Sequence, residues 1–348
     1  MKLTWLPTTK KECEQRGWQQ LDVILFSADA YVDHPAFGVA VIGRLLESLG
    51  LRVAIVPQPD WHGDYRDFRK LGRPRYFFGI SPGAMDSMVN KYTAARRLRS
   101  EDAYSPDGRH DKRPEYPTIV YTRILKQLWP DVPVVLGGIE ASMRRLTHYD
   151  YWQQRLRPSI LIDSGADLIT YGLGEQPTEA LVRLIDDKLL HGRDEAFASA
   201  ADLRQLLHKY PVPQTVRVES QESRDNAQCS LLLHSHEACL ADRRKYAENF
   251  RIIEEESNSL QPRRIIQETL PPEGERRGGL GGSVLIIVEP PFPPMTTKET
   301  DRTYDLPSTR LPHPEYRGKR IPAYEMIRHS VTIHRGCFGG CAFCTISA

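Results

Sequence analysis

The 348-residue sequence has no apolar run of the roughly 18–20 residues that a membrane-spanning helix needs. Its first seven residues lack the apolar stretch of a secretory signal. The net charge is only +2, which gives no electrostatic reason to expect binding to nucleic acid or to an anionic membrane. We therefore expect a cytoplasmic protein that binds neither nucleic acid nor membrane.

Cysteine is also scarce, with six residues in the whole chain. Three of the six lie within eight residues of one another, at Cys337, Cys341 and Cys344. A reducing compartment favours metal binding or catalysis over disulfide formation for such a group. The other cysteines are far apart or on helix-like sequence, and we interpret them as incidental or buried thiols.

The first half of the chain alternates strand-like and helix-like segments, and its apolar content of 40% is ordinary for a globular protein. Such alternation predicts an α/β fold with a parallel sheet covered by helices on both faces. The predicted strands are residues 21–26, 51–56, 75–80, 132–136 and 167–171. The predicted helices are residues 37–49, 85–98, 116–128 and 177–190.

Polar or glycine-rich turns follow four of these strands, at residues 27–38, 79–85, 137–145 and 172–176. Ligands of parallel sheets bind at the carboxyl ends of the strands, so we expect the four turns to share one edge and to form a site there. Gly137-Gly138 would permit close approach to a ligand, but a tight strand-to-helix turn needs glycine equally. Gly172-x-Gly174 does not match the G-x-G-x-x-G fingerprint of nicotinamide-binding proteins.

The second half of the chain is less regular. Residues 192–283 are polar and mostly helix-like. We interpret the charged stretch 238–256 as a solvated helix between two domains. We interpret residues 271–283 as a flexible linker. A strand is predicted at 284–288, then a proline-rich extended segment, then a strand at 330–334 that leads into the cysteines. The sequence thus predicts three parts: a domain at 1–191, a helical linker region at 192–283, and a final part at 284–348.

The cysteine spacing is C-x3-C-x2-C, and three such thiolates can hold three corners of a [4Fe–4S] cluster. The fourth iron would then be open to a small molecule. Two glycines between the first two cysteines, and phenylalanines at 338 and 343, suit a bulky cargo that is shielded from water. A zinc site with His334 as the fourth ligand, and unliganded thiols or a disulfide, remain alternatives.

Two further groups of residues are weaker candidates. Asp29, Asp33 and His34 lie in one predicted turn and could form a metal or acid–base site, or serve capping and turn formation. The stretch from His148 to Trp152 could stack on a planar ligand or pack against a neighbouring domain.

Several motifs in the same order resemble those of YgiQ-type radical SAM proteins. They are Asp29-Ala30-Tyr31-Val32-Asp33-His34-Pro35, Gly137-Gly138-Ile139-Glu140-Ala141-Ser142, His148-Tyr149-Asp150-Tyr151-Trp152, Arg320-Ile321-Pro322-Ala323-Tyr324-Glu325-Met326-Ile327-Arg328 and Arg335-Gly336-Cys337-Phe338-Gly339-Gly340-Cys341.

The resemblance implies a Rossmann-like domain, similar to cobalamin-binding modules, followed by the first strand and the cluster loop of a TIM-like radical SAM barrel. It also implies that Cys337, Cys341 and Cys344 bind a [4Fe–4S] cluster, and that S-adenosylmethionine is cleaved reductively to a 5′-deoxyadenosyl radical. The substrate is unknown, and the electron donor would be a flavodoxin or a ferredoxin. The D-x-H-x-x-G signature of base-off cobalamin proteins is absent, because the chain reads Asp33-His34-Pro35-Ala36-Phe37-Gly38.

Members of this family continue well past the cysteine loop, whereas this chain has four residues after Cys344. We therefore expect an inactive N-terminal fragment of a longer parent enzyme, and a separately encoded C-terminal half is one candidate partner. The alternative is a non-catalytic Rossmann-like module that binds a ligand or a partner and carries a disordered cysteine tail.

Overall fold

The computed structural model describes residues 4–190, 200–220, 230–271 and 282–331. Cys337, Cys341 and Cys344 lie outside the described residues, as do most of the predicted strand at 330–334 and most of the predicted linker at 271–283.

A mixed sheet of nine strands organises the described part of the chain. Its strands are β1 (Val23–Ser27), β2 (Val53–Pro57), β3 (Phe77–Ser81), β4 (Val134–Leu136), β7 (Leu168–Thr170), β8 (Thr215–Ser220), β9 (Ser230–Leu233), β10 (Arg264–Thr269) and β11 (Val284–Val288). Their order is β2-β1-β3-β4-β7-β8-β11-β10-β9. A separate antiparallel hairpin joins β5 (His148–Asp150) to β6 (Arg155–Arg157).

The first five strands in that order run parallel. They are the five strands predicted in the first half, and each begins one or two residues later than predicted. The sheet is not parallel throughout, because β8 is antiparallel to both β7 and β11, and β10 is antiparallel to β11. The fold is therefore mixed α/β with a sheet in which parallel pairing predominates.

Helices cover both faces of this sheet. They are α1 (Lys10–Gln15), α2 (Gly38–Ser48), α3 (Arg66–Arg69), α4 (Ser87–Lys91), α5 (Pro117–Leu128), α6 (Ile139–Met143), α7 (Ile160–Ser164), α8 (Glu175–Ile185), α9 (Ala200–Lys209), α10 (His236–Ala241), α11 (Arg243–Ser257), α12 (Thr297–Tyr304) and α13 (Pro322–Ile327).

The apolar side chains of β1 alternate between the two faces, as the period of a strand requires. Val23 and Leu25 pack in one cluster with residues of α2, α8 and α9. Ile24 and Phe26 pack on the opposite face with residues of α5 and α7. A strand that is buried on both faces reads as a continuous apolar run, which is why the sequence reveals it.

The predicted helix at 85–98 is much shorter than expected. Asp86 caps α4 by accepting hydrogen bonds from the N–H groups of Met88 and Val89. The chain then turns back through Arg96, whose φ of 58° is left-handed, and Tyr92 forms a β-bridge with Leu98. The sequence therefore predicted too long a helix here, because most of the segment 85–98 forms a tight loop.

The described residues of the region 192–283 form helices α9, α10 and α11, but they also form β8, β9 and β10, which extend the sheet. The charged stretch 238–256 forms two helices, with Asp242 capping α11. Ile252 and Ile253 of α11 pack against the core, so this helix is not simply solvated. The three-part division of the chain stays a prediction.

Residues 305–321, here called the covering segment, lie across the turn that follows β1. Pro312 forms a β-bridge with Val32, and the N–H of His313 donates to the carbonyl of Tyr31 at 3.0 Å. This confirms the expectation of an extended segment draped over a surface, although α12 interrupts the proline-rich sequence ahead of it. The covering segment leads into α13, where the N–H of Ala323 donates to the carbonyl of Ala103.

Candidate functional site

A cavity of about 270 Å³ lies at the carboxyl ends of the parallel strands. The turns after β1, β3, β4 and β7 contribute to its wall, through Gly38, Gly83, Gly138 and Gly174. The expectation that these four turns share one edge is confirmed. Apart from Ser81, Thr170, Glu175 and Thr178, the side chains that line the cavity are apolar, which suits a small, largely apolar ligand.

Gly137 and Gly138 lead from β4 into α6 at the wall of the first cavity. Gly138 has a φ of 83°, and a Cβ atom there would lie 3.0 Å from Cδ of Pro82. The N–H of Gly137 donates to the carbonyl of Ile80 at 2.9 Å. Gly138 is thus required by the turn into α6, and both glycines line the cavity. Close approach of a ligand to this pair stays a prediction.

The fourth turn is held by Gln214, a residue that the sequence did not single out. Its Nε2 donates to the carbonyls of Tyr171 and Leu173, at 2.7 Å each. The N–H of Gly172 donates to Oγ of Ser142 at 3.0 Å. A rim fixed by hydrogen bonds keeps the cavity preformed rather than dependent on ligand binding.

Asp29 belongs to a buried ionic network beneath this edge. The guanidinium of Arg113 lies 2.9 Å from Oδ1 of Asp29 and 2.7 Å from Oδ2 of Asp102. The N–H of Ala84 donates to Oδ2 of Asp29 at 2.7 Å. Burial raises the pKa of Asp29 to about 6, although Arg113 opposes that shift. The network ties the turns after β1 and β3 to each other.

Asp33 and His34 are also used internally. Oδ1 of Asp33 accepts from Nε of Arg44 at 3.0 Å, and Oδ2 accepts from the N–H of Thr309 in the covering segment at 2.7 Å. His34 is only 2% exposed, and its Nδ1 accepts from the N–H of Ala36. Ion pairing accounts for the position of Asp33, and turn formation accounts for that of His34. The part of the chain that the structure describes holds no group of three side chains that could bind a metal ion.

The stretch from His148 to Trp152 borders a second cavity, of about 340 Å³. Tyr149 and Tyr151 are about half exposed, at 50% and 46%. Tyr246 and Phe250 of α11 form another part of the wall. The sequence pointed to residues 148–152 but not to Tyr246 and Phe250, because nothing local indicates that α11 lies opposite the β5–β6 hairpin.

The predicted cluster ligands Cys337, Cys341 and Cys344 lie outside the described residues and stay a prediction. Cys13 and Cys239 are buried free thiols, in agreement with the interpretation that they are incidental. Burial raises the pKa of the Cys13 thiol to about 11, so it is protonated at neutral pH.

No helix in the described ranges is long and apolar enough to cross a membrane. No solved structure matches the chain. Three curated relatives show clear similarity: a UPF0313 protein of Bacteroides thetaiotaomicron and one of Porphyromonas gingivalis, each 61% identical over 344 residues, and the UPF0313 protein YgiQ of Escherichia coli, 41% identical over 382 residues.

Each alignment covers 99% of this chain but only 53%, 50% and 50% of the respective relative, so the chain spans about half the length of these proteins. A family model described as "Radical SAM N-terminal" matches residues 5–330, which is nearly the whole chain. The chain belongs to the radical SAM N-terminal family, among the relatives of YgiQ.

Proposed function

We propose that this chain is the N-terminal part of a radical SAM iron–sulfur enzyme. The observation that carries the proposal is the C-x3-C-x2-C motif, which begins at Cys337, seven positions after the match to the radical SAM N-terminal family ends at residue 330. Because the chain spans about half the length of its curated relatives, the activity is proposed for the whole protein.

Cys337, Cys341 and Cys344 would hold three irons of a [4Fe–4S] cluster through their thiolates. The cluster, when bound, supplies the electron for reductive cleavage of S-adenosylmethionine to a 5′-deoxyadenosyl radical. The substrate of that radical is unknown.

The described residues support a location for this chemistry near the carboxyl edge of the sheet. The covering segment and α13 pack against the turns at that edge, at Tyr31 and Ala103. Val331 precedes Cys337 by six residues, and six residues of extended chain span at most about 20 Å. This reach supports the proposal that the cluster would lie within about 20 Å of Val331.

A Rossmann-like domain similar to cobalamin-binding modules is part of the proposal. The parallel strands have the order β2-β1-β3-β4-β7, which matches the 2-1-3-4-5 order of flavodoxin-like sheets that bind ligands at the switch between strands 1 and 3. Cobalamin ligation by His34 is not supported, because that imidazole is buried and hydrogen-bonded within its own turn.

The partners of the whole protein are proposals of the same kind. A flavodoxin or a ferredoxin would deliver the electron, and a separately encoded C-terminal half could supply the remainder of the barrel. A pull-down with a tagged version of this chain, followed by mass spectrometry, would detect either partner.

The test of the cluster is anaerobic reconstitution of the full 348-residue chain with ferrous iron and sulfide. We expect about four irons and four sulfides per chain, together with the broad absorption of a [4Fe–4S] cluster. Substitution of Cys337, Cys341 or Cys344 by alanine should abolish cluster binding. Cys13→Ala and Cys239→Ala are matched controls that should retain it. Stoichiometric zinc without sulfide would contradict the proposal and favour the Cys3His alternative.

A second candidate function is binding of a small ligand in the first cavity, favoured by its preformed, glycine-lined wall. Leu173 lines the cavity and is 40% exposed, so Leu173→Trp should narrow the entrance with little effect on folding. If a small apolar probe such as naphthalene binds to the wild-type chain but not to the variant, as measured by probe fluorescence, this candidate gains support. Equal binding to both proteins would show that the probe does not occupy the first cavity.

A further inference from the structure

The second cavity is here called the aromatic groove, and its walls come from two separate parts of the chain. Tyr149, Tyr151 and Trp152 belong to the β5–β6 hairpin, and Tyr246 and Phe250 belong to α11. Tyr149, Tyr151 and Phe250 are each between 38% and 50% exposed. Aromatic side chains that stay exposed around a concave surface are costly unless a ligand covers them.

Arg145 lines the same groove without a counter-ion. Its Nη1 donates to the carbonyl of Ser142 at 2.7 Å, and its guanidinium lies 5.0 Å from the ring centroid of Tyr171. Its Nε is buried and has no hydrogen-bond partner among the described residues. Burial lowers the pKa of Arg145. A partly buried guanidinium that has no carboxylate partner favours the binding of an anion beside it.

The neighbouring Arg144, unlike Arg145, is paired with carboxylates. Its guanidinium pairs with the carboxylate of Asp86 and lies 3.7 Å from that of Glu140. The carboxylate of Asp150 is likewise satisfied, since it accepts from the hydroxyl of Tyr116 and from the backbone N–H of Trp152. These charges are neutralised or hydrogen-bonded within the fold.

Glu254 is the other charge that lines the groove without a recorded partner for its carboxylate. It lies on α11, four residues after Phe250, and its charge raises the pKa of Arg145. The two residues nevertheless form no ion pair with each other in the described part of the chain. The groove therefore presents a cation and an anion that are held apart between aromatic walls.

We propose that the aromatic groove binds a free amino acid with an aromatic or other planar side chain. Arg145 takes the α-carboxylate, Glu254 takes the α-ammonium, and Tyr149, Tyr151 and Phe250 cover the side chain. A zwitterion supplies both missing counter-charges at once, whereas a purely anionic or purely cationic ligand leaves one of them unpaired. This inference stands whether or not the cysteine motif binds a cluster.

The test compares three probes by isothermal titration calorimetry on the full chain. L-phenylalanine carries both charges, 3-phenylpropionate lacks the ammonium, and phenethylamine lacks the carboxylate. We expect L-phenylalanine to bind roughly tenfold or more tightly than either analogue, since each charged hydrogen bond that is lost weakens binding by about that factor.

Two variants separate the two charges. Arg145→Gln should abolish the preference for L-phenylalanine over phenethylamine, and Glu254→Gln should abolish its preference over 3-phenylpropionate. Glu254 lies on a surface helix, so the second variant tests the proposal even where Arg145→Gln fails to fold. Glu255→Gln and Arg243→Gln, exposed on the same helix, are matched controls that should bind all three probes like the wild type.

Three results would overturn the proposal. One is equal affinity for the three probes, which would indicate aromatic contact without charge recognition. Another is an equal loss of affinity for L-phenylalanine in the Glu255→Gln and Glu254→Gln variants. The last is an absence of binding heat for every probe up to its solubility limit, which would favour a groove covered by another polypeptide.

Discussion

The imidazole of His313 lies between two carboxylates, with Nε2 3.2 Å from Oε1 of Glu12 and Nδ1 3.6 Å from Oε2 of Glu315. This partly buried contact joins the covering segment to α1. Burial alone would lower the pKa of His313, but the two carboxylates overcome that effect and raise it to about 9. Burial raises the pKa of Glu12, but His313 and backbone N–H groups lower it to about 2.

The first prediction is that these shifts make stability depend on pH. The folded pKa of His313 is above its unfolded value of 6.5, so its contribution is complete below pH 6.5 and is lost as the pH rises through 9. The folded pKa of Glu12 is below 4.5, so its contribution is complete above pH 4.5 and is lost as the pH falls through 2. Urea unfolding at a series of pH values should show the full contribution between about pH 4.5 and 6.5.

His313→Gln should reduce the free energy of unfolding at pH 6 by about 1–2 kcal/mol, since solvent around the partly exposed Glu12 screens the interaction. In this variant, the free energy of unfolding should also no longer decline between pH 6.5 and 9 through loss of this contact. His329→Gln, on an exposed histidine, is the control. An unchanged decline in His313→Gln would show that another group causes it.

The second prediction concerns Gly83, which has a φ of 104° and lies against Asp29. A Cβ atom at this position would overlap the Asp29 carboxylate. Gly63 also has a positive φ, of 68°, but a Cβ atom there would contact nothing. Gly63→Ala should therefore cost only the conformational strain, about 1–2 kcal/mol. Gly83→Ala should cost about 1–3 kcal/mol more because of the overlap, and thermal denaturation would measure the difference. Equal losses of stability in the two variants would mean that the loop around Gly83 relaxes to remove the overlap.

The third prediction concerns Asp29, whose pKa is raised to about 6 mainly by burial. Between about pH 4 and 6 the folded state then holds one more proton at Asp29 than the unfolded state. Stability should fall in this interval as the pH rises, by up to about 1.4 kcal/mol per pH unit. Asp29→Asn should remove that fall, whereas Asp305→Asn, on an exposed carboxylate, should retain it. Parallel stability curves for the wild type and Asp29→Asn would contradict the assignment.

The fourth prediction tests how the covering segment is held. The backbone N–H of Tyr31 donates to the hydroxyl of Tyr316 at 3.2 Å, and both residues are buried. Tyr316→Phe leaves that N–H without an acceptor and should reduce stability by about 1–3 kcal/mol. Tyr324→Phe removes a hydroxyl that forms no hydrogen bond with any described residue and should have little effect. Amide hydrogen exchange at Tyr31 should accelerate in the first variant only, and unchanged protection there would refute the role of this contact.

The parallel half of the fold was predictable because its signals are local. Buried strands such as β1 read as short apolar runs, and glycines at 138 and 172 mark turns that need positive φ angles. Parallel strands place their carboxyl ends on the same side, so the location of the first cavity followed from chain order alone.

Other parts of the site depended on contacts between distant segments. Gln214 clamps the turn at 171–173 from a segment that was predicted to be helical or linking. Arg145 and Glu254 are 109 positions apart in the sequence, and only the packing of α11 beside the β5–β6 hairpin brings them to one groove. Periodicity within a segment carries no information about which other segment it will face.

The sequence by itself indicated the reaction class that we propose, through three cysteines whose spacing is a local property. It also determined which segments form the parallel strands and that the turns after them share one edge. The tertiary structure decided that β8 to β11 extend the same sheet, that the covering segment closes over the turn after β1, and which charges are neutralised within the fold. The physical reason is that strand pairing and charge compensation depend on neighbours in space, and the chain sets those neighbours only when its core is packed.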